Sequence, residues 1–477
     1  MNRMRGLLLG GIALLSAASG CLSVAGRLDE QAEQVTHGVL EKAYNRAAAL
    51  AEEDSADTGF WQAEAGTLAL MRGKPKDAIH FLGLADESFN DLARRRYGAS
   101  VVDTTAALAV NDCTMPYAAE GLDRVFTHIY RALAYGVSND MEAMRVELNR
   151  ARQRQIEWFG QCSEDIVKQE DALKQLSKKE RQAVRQAVNQ QTAPTPLAAG
   201  IAETVSAEGA EAIQAFSTLR GFGNPYAAHL TGVFRWCMGD APRNDLAMAA
   251  ALAPTCSAVQ ADALASAAGR VPQKRVWVYI EDGLAPRRTE HPFTIPYPSL
   301  TGNGFGTLTF NVPKLEPRAA AATSYTVNHM PCEQLTDVDA LAQDQFDRAW
   351  PGILTRQVTR TILRVAMQEG TQAAVKTHRD GGEAAALLIS AAWIVYNAAT
   401  NAADVRCADL LPKKVWLAAL SRPADGTLQV RSADGQEIRI QLHPQGNALV
   451  WVRRAAATGQ ITVLTVDLER PAGYTTI

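Results

Sequence analysis

The sequence predicts a protein of the α+β class with more than one domain, in which a helical first half is followed by a β-rich second half. Residues 28–265 are rich in Ala, Leu, Glu, Arg and Gln and contain few β-branched runs, which favours helix. From residue 271 onward, short β-branched and aromatic runs are bounded by Gly, Pro, Asp or Asn, as is typical of strands and turns. The 477 residues also exceed what one hydrophobic core usually serves.

The first 20 residues have the parts of a bacterial secretion signal. Arg3 and Arg5 supply the positive charge, and an apolar run follows at residues 7–15. This run is too short to cross a bilayer, because a spanning helix needs about 20 apolar residues. We therefore expect residues 1–20 to be removed as a signal peptide.

A cysteine stands directly after this segment, in the tetrapeptide ASGC (residues 18–21). The tetrapeptide resembles the lipobox of bacterial lipoproteins, although Ala18 stands where leucine is more usual. The resemblance implies that Cys21 is acylated, becomes the new N-terminus and anchors the chain in the lipid bilayer through a tether at 21–27. Leu22 resembles the outer-membrane sorting pattern, which implies a chain that faces the periplasm. The alternative is an ordinary small-residue cleavage site that precedes an unmodified cysteine.

The net charge and the cysteine pattern indicate which partners and cofactors to expect. Without residues 1–20 the chain has 46 basic and 51 acidic residues, a formal net charge of −5, which argues against nucleic acid as a partner. No CxxC motif or Cys/His cluster occurs, so structural zinc is not expected, and the sequence predicts no other metal or cofactor. An even number of cysteines in an oxidising compartment permits up to three disulfides, whose pairing stays open. The six are Cys113, Cys162, Cys237, Cys256, Cys332 and Cys407.

One segment of the helical half, residues 60–88, has a recognisable repeat pattern. It resembles a tetratricopeptide repeat, a helical hairpin with a small residue at the helix crossing and a glycine in the turn. The residues on the repeat's characteristic positions are Gly66, Gly73, Ala78, Leu82 and Ala85.

Two further segments carry weaker versions of the same pattern. Residues 224–254 contain Gly232 and Gly239 seven positions apart, and residues 128–153 have Asn139 where the turn glycine is expected. The copies begin at irregular intervals of more than 34 residues, so other helices intervene. We expect an irregular tetratricopeptide-like helical solenoid.

The β-rich half reads as an antiparallel β-module with inserted helices. The pairs Asp425-Gly426 and Asp434-Gly435 can supply the positive φ that tight turns between strands require. Helices are expected at about 338–370 and 383–403, and the second of these carries an apolar stretch too short to span a membrane. The predicted strands are 275–283, 304–313, 413–420, 426–432, 436–443, 447–454 and 460–466.

Several stretches together resemble a poorly characterised family of bacterial envelope lipoproteins with a tetratricopeptide-like N-terminal half. They sample nearly the whole chain, at 111–135, 147–155, 224–232, 278–286 and 403–420. The family has no assigned biochemical activity. The resemblance therefore implies an envelope lipoprotein, and it assigns no catalytic residue.

Enzyme signatures are absent from the sequence, which contains no GxSxG, HExxH or GxxxxGK[ST] motif. The glycine-rich segment 302–306 leads into a strand and not a helix N-terminus, so it is interpreted as a hairpin loop. Glu281 and Asp282 end a strand beside a glycine and are interpreted as part of a solvated turn. His128 and His229 lie within helical pattern and are interpreted as satisfied or surface side chains.

Two classes of function remain. The first is an outer-membrane-anchored lipoprotein that acts as a protein-binding scaffold or assembly factor, and the second is an envelope enzyme whose site is assembled from distant residues. The charged segment 163–191 is interpreted as a solvated helical hairpin or, alternatively, a partner-facing arm.

A binding surface for an envelope protein is expected on the helical half. The candidates are Tyr117, Glu120 and Arg150, because tyrosine and arginine are the side chains that interfaces favour. Tyr135 occupies a repeat position that is normally buried. Glu147 and Arg150 have the i, i+3 spacing of an intrahelical ion pair, which is the alternative interpretation of Arg150.

Overall fold

The structure is a computed structural model that describes residues 24–98, 115–158, 223–298, 305–350, 353, 357, 402–443 and 445–468. Within these ranges the chain is helical up to residue 267, and strands begin at residue 275. The predicted α+β class is confirmed, with helices in the first half and sheets in the second. The change of composition near residue 271 falls between the last of these helices, which ends at Ala267, and the first strand, which begins at Arg275.

The helical half is built from neighbouring helices that pack side by side. Helix α3 packs against α2 and α4, α4 packs against α5, and α8 packs against both α7 and α9. The helices are α1 (24–36), α2 (Leu40–Ala51), α3 (Thr58–Met71), α4 (Pro75–Gly98), α5 (Gly121–Val137), α6 (141–158), α7 (Pro225–Met238), α8 (Arg243–Leu252) and α9 (Ser257–Ala267).

Three helical hairpins turn on a residue with positive φ. Gly73 (+67°) joins α3 to α4, Asn139 (+61°) joins α5 to α6, and Gly239 (+80°) joins α7 to α8. Asparagine enters the left-handed region more easily than most other residues. Asn139 therefore serves the turn in which the repeat pattern would place glycine.

Glycines also lie where paired helices cross. A Cβ atom at Gly66 would stand 2.5 Å from Leu82 Cγ on α4, and one at Gly232 would stand 2.7 Å from Leu246 Cγ on α8. No larger residue fits at these separations without moving a helix. The small residues expected at the helix crossings are therefore present.

Strands make up most of the second half, and all seven predicted segments are strands. The sequence did not predict four further strands, β2, β4, β5 and β6. The strands are β1 (Arg275–Asp282), β2 (Arg287–Pro298), β3 (Phe305–Glu316), β4 (Tyr325–Val327), β5 (Met330–Pro331), β6 (Glu333–Asp337), β7 (Lys414–Ser421), β8 (Thr427–Ser432), β9 (Glu437–Gln441), β10 (Asn447–Arg454) and β11 (Ile461–Leu468).

The strands form a five-stranded sheet in the order β11-β10-β1-β7-β6, a four-stranded sheet β5-β4-β8-β9, and the hairpin β2-β3. The expected all-antiparallel module is wrong in one respect, because β1 and β10 pair parallel, with Val278 opposite Val450. More than 160 residues separate these two strands, so no tight turn constrains their relative direction. The Asp-Gly turns are confirmed, with φ of +70° at Gly426 and +88° at Gly435.

The described elements form three layers, with the five-stranded sheet between the helices and the four-stranded sheet. Along β1, Trp277 and Tyr279 point to the helices, whereas Val276, Val278 and Ile280 point to the four-stranded sheet. This alternation follows from the two-residue period of a strand, and it buries β1 on both faces. One hydrophobic core consequently joins the helices to the sheet.

Residues 338–350, directly after β6, form helix α10, which agrees with the start of the helix predicted at 338–370. The second predicted helix, 383–403, lies outside the described residues except at its end. Ala402 and Ala403 have no regular secondary structure, and the Ala403 amide donates to the Glu290 carboxylate (3.0 Å) and not to a helix carbonyl. The described part of the chain contains no helix both long and apolar enough to cross a bilayer.

The signal peptide at 1–20, the lipidation residue Cys21 and the charged segment 163–191 all lie outside the described residues. Cys113 and Cys162 do as well. The other four cysteines, Cys237, Cys256, Cys332 and Cys407, are free thiols, so no disulfide joins any two of these four.

Candidate functional site

A small cavity lies where α3, α4 and α5 meet the segment that precedes β7. Its volume of about 20 Å³ is room for one or two water molecules, since a water needs roughly 10–15 Å³ measured in this way. Polar side chains from distant parts of the sequence meet here among aromatic rings. The lining residues include Glu64, Thr67, Tyr117, Asp123, Thr127, Tyr130, Phe60, Phe89 and Leu410.

Two carboxyl groups line this cavity. Glu64 is 3% exposed, and burial raises its pKa well above the ordinary value, although the Gln31 side chain donates a hydrogen bond to it. Burial, reinforced by the nearby Glu120 charge, raises the pKa of Asp123 to about 6. Two carboxyl groups whose ionised forms are disfavoured by burial therefore face the same cavity.

Tyr117 is part of this cluster. Its hydroxyl donates to Asp123, and its ring packs edge-on against Phe60 (5.1 Å) and Phe89 (6.2 Å between centroids). The Arg406 guanidinium lies 5.6 Å from the same ring. Tyr117 is 7% exposed, so it offers little surface for contact with a partner.

Glu120 connects the helical half to the β-rich half. Its backbone amide donates to Asp123 (3.0 Å) at the start of α5, and its carboxylate accepts a hydrogen bond from Arg288 on β2 (2.8 Å). The structure therefore brings Glu120 and Tyr117 together around Asp123, a residue that the sequence analysis did not select. The signal that could have found it is the spacing of Glu120 and Asp123, which is the N-cap to N3 spacing at a helix start.

Arg150 lies apart from this cluster, on α6. It is 46% exposed and donates to Glu147 (2.8 Å), as expected for an i, i+3 pair. Glu147 is buried and also meets His128 Nδ1 (2.7 Å) and Arg131 (3.3 Å). Tyr135 is partly buried against the core, whereas its repeat position is normally buried.

Glu281 and Asp282 are buried, so their interpretation as a solvated turn is wrong. Glu281 accepts from the Tyr130 hydroxyl (2.9 Å) and lies 3.8 Å from Arg453, whereas Asp282 accepts from the Tyr325 hydroxyl (2.6 Å) on the other face. Burial raises the pKa of both acids. The apolar run that precedes these two residues could have predicted their burial, because a strand that is buried on both faces carries its last residues into the core.

Both histidines are buried and neither lies at the surface. His128 Nδ1 lies 2.7 Å from Glu147 and its Nε2 lies 3.4 Å from Asp86. His229 meets the Tyr279 hydroxyl (2.9 Å) and Asp262 (3.3 Å), and Asp262 also accepts from the Trp277 indole (2.7 Å). Among the described residues no group of three or more His, Cys, Asp or Glu side chains has the arrangement of a metal site.

Comparisons with known proteins found no match, whether to a protein-family model, to a curated protein or to a solved structure.

Proposed function

We propose that the chain is an outer-membrane-anchored lipoprotein, lipidated at Cys21, that acts as a protein-binding scaffold or assembly factor in the cell envelope. Its helical half would be an irregular tetratricopeptide-like solenoid. The observation that carries the proposal is the recurring helical hairpin, with a left-handed turn residue at Gly73, Asn139 and Gly239. Helical hairpins that stack in this way generate extended binding surfaces.

The interior acids favour binding over catalysis. Glu64 and Asp123 face a cavity with room for one or two waters, so no organic substrate reaches them in this conformation. The enzyme alternative draws support from the pKa of Asp123, which lies near 6, where a carboxyl group can act as acid or base. A hydrolytic activity of the purified chain that Asp123→Asn abolishes would favour the enzyme.

Anchoring is tested by growing cells with labelled palmitate. The parent chain should incorporate label and Cys21→Ser should not, because acylation requires the thiol. Cys407→Ser is the matched control, since it removes another cysteine and should leave labelling unchanged. Equal labelling of Cys21→Ser and the parent would contradict the lipoprotein assignment.

Partner binding is tested by crosslinking in intact cells. Of the three candidate residues, Arg150 has the open side chain, so Arg150→Glu should weaken crosslinking to an envelope protein by about 1 kcal/mol or more. Glu120→Arg should also weaken crosslinking, but it breaks the hydrogen bond with Arg288 as well. Tyr117 is buried, so Tyr117→Phe should change crosslinking only by removing the hydrogen bond to Asp123. Arg439→Glu, at an exposed position on β9, is the control that should crosslink as the parent does.

A further inference from the structure

A surface groove of about 530 Å³ lies between the C-terminal ends of α7 and α9 and the N-terminal end of α8. Ligand sites in proteins commonly measure about 300–1,000 Å³, so this groove is large enough for a short peptide segment. It is distinct from the interior cavity and shares no residue with it. The lining residues are Trp236, Cys237, Gly239, Asp240, Ala241, Pro242, Asn244, Ser266, Gly269, Arg270 and Val271.

One side of the groove is the uncapped N-terminus of α8, a helix of ten residues. Its N-cap residue is Pro242, which provides no side-chain cap, and the amides of Asn244 and Asp245 have no acceptor among the described residues. The Asp245 carboxylate turns away to Arg235 (2.7 Å) and Arg152 (3.0 Å). Free amides and the helix dipole together favour an anion at this position.

Two side chains opposite this helix end also lack partners within the described chain. Arg270 is exposed and forms no ion pair there. Ser266 is 4% exposed, and its hydroxyl has no hydrogen-bond partner among the described residues. The acid on the rim, Asp240, is paired with Arg145 (3.3 Å). A carboxylate that entered the groove would therefore meet donors whose charge and hydrogen-bonding capacity are still available.

The ends of α7 and α9 do not oppose an anion strongly. The Asp240 amide donates to the Arg235 carbonyl (2.8 Å), and the Arg270 amide donates to the Ala265 carbonyl (3.0 Å). Each bond satisfies a carbonyl near a helix C-terminus, which is where negative partial charge otherwise collects.

The rest of the groove is apolar. The Trp236 indole donates to the Arg270 carbonyl (2.7 Å), which fixes the ring in the groove wall. Val271 is 71% exposed and Pro242 is partly exposed, whereas Trp236 and Cys237 are buried in the wall. Exposed aliphatic side chains form a surface on which a leucine or phenylalanine side chain would bury apolar area.

We propose that this groove binds a short peptide segment of a partner protein in which an aspartate or glutamate side chain lies beside leucine or phenylalanine. The carboxylate would occupy the space between the α8 N-terminus and Arg270, and the apolar side chain would pack on Val271 and Pro242. This inference supplies the partner chemistry for the binding role proposed above and rests on it.

The test uses the full chain purified in detergent and a fluorescein-labelled peptide of alternating leucine and aspartate with an amidated C-terminus. Fluorescence anisotropy should show saturable binding. A matched peptide with asparagine in place of aspartate should bind at least about tenfold more weakly, because it lacks the charge. Equal binding of the two peptides, or tighter binding of an all-leucine peptide with a free C-terminal carboxylate, would overturn the proposed chemistry.

Variants then locate the site. Arg270→Glu should weaken binding about tenfold, Val271→Asp about fivefold and Ser266→Ala about threefold. Arg95→Glu is the matched control, because Arg95 is an exposed arginine on α4, outside the groove, and it should change affinity less than twofold. Equal losses in Arg95→Glu and Arg270→Glu would show nonspecific charge attraction and reject the groove.

The outcome is separable from that of the proposed function. The peptide binds purified protein whether or not Cys21 is acylated, so a negative palmitate result leaves the groove measurement intact. Conversely, crosslinking that persists in Arg270→Glu cells would reject the groove and leave the scaffold role standing.

Discussion

Asp123 shows how burial and neighbouring charge act on a single residue. Its carboxyl group lies in the cavity between the helices and the segment before β7, where it accepts from the Tyr117 hydroxyl and the Glu120 amide. Loss of hydration and the negative charge of Glu120 both penalise its ionised form, and the two hydrogen bonds compensate only in part. The folded state therefore holds this proton more tightly than the unfolded chain does.

We predict that Asp123 makes the protein less stable as the pH rises from about 4 to about 6. The pKa of Asp123 is about 6 in the folded state and about 3.8 in the unfolded chain. The contribution of the Asp123 proton to the free energy of unfolding is therefore complete below pH 4 and lost by about pH 6. The loss is roughly 3 kcal/mol, since one pKa unit corresponds to about 1.4 kcal/mol. Asp123→Asn keeps both hydrogen-bond donors satisfied and should flatten this part of the profile in urea unfolding.

The control for this measurement is Asp54→Asn, at an exposed position. It should leave the shape of the profile unchanged. Glu64 and Glu281 also have raised pKa values, so they too lower the free energy of unfolding as the pH rises. Only the difference in this free energy between the parent and Asp123→Asn therefore reports on Asp123. A difference that does not change between pH 4 and pH 7 would contradict the assignment.

At the scale of elements, the helical hairpins depend on close approach. At Gly66 a Cβ atom would meet both the Leu82 side chain (2.5 Å) and the Leu82 backbone nitrogen (2.9 Å). A flexible side chain can rotate away from such a contact, but the backbone of α4 can move only with the whole helix. The separation of α3 and α4 is therefore set by the absence of a side chain at Gly66.

We predict that Gly66→Ala destabilises the protein by about 1–3 kcal/mol, the usual cost of an overpacked contact. Gly26→Ala is the matched control, because nothing lies within 4 Å of a Cβ atom at that position in α1. Alanine there should stabilise the helix by up to about 1 kcal/mol. The measurement is the midpoint of urea unfolding, and equal shifts in the two variants would refute the close-approach argument.

Elements were easier to predict than their pairing. Seven strands were found from the sequence, but β4 and β5 were missed because they have only three and two residues. Strand β2 contains three prolines, which argue against a strand in the sequence pattern. The parallel pairing of β1 with β10 depends on contacts between residues far apart in sequence, which local patterns do not encode. The same limit applied to Asp123, whose selection required knowing that Tyr117 and Glu120 converge on it.

On the scale of the whole molecule, the two halves share one interior. Tyr130 on α5 lies edge-on to Trp451 on β10 (6.2 Å), and its hydroxyl donates to Glu281 on β1. Arg406 reaches from the β-rich half to Asp57 near the start of α3 (2.6 Å). Composition alone separates a helical half from a β-rich half, because composition reports local structure and not the surface against which each half packs.

We predict that the two halves unfold in one cooperative transition. Far-UV circular dichroism, dominated by the helices, and fluorescence of tryptophans in both halves should then give the same urea midpoint.

A fragment of residues 271–477 alone would expose the face of the five-stranded sheet that carries Trp277, Tyr279 and Trp451, all buried in the full chain. Such an exposed apolar face should bind a hydrophobic dye strongly, as an incompletely packed sheet does. Two separate midpoints, together with a fragment that binds no dye and keeps a native near-UV spectrum, would show instead that the halves are independent domains.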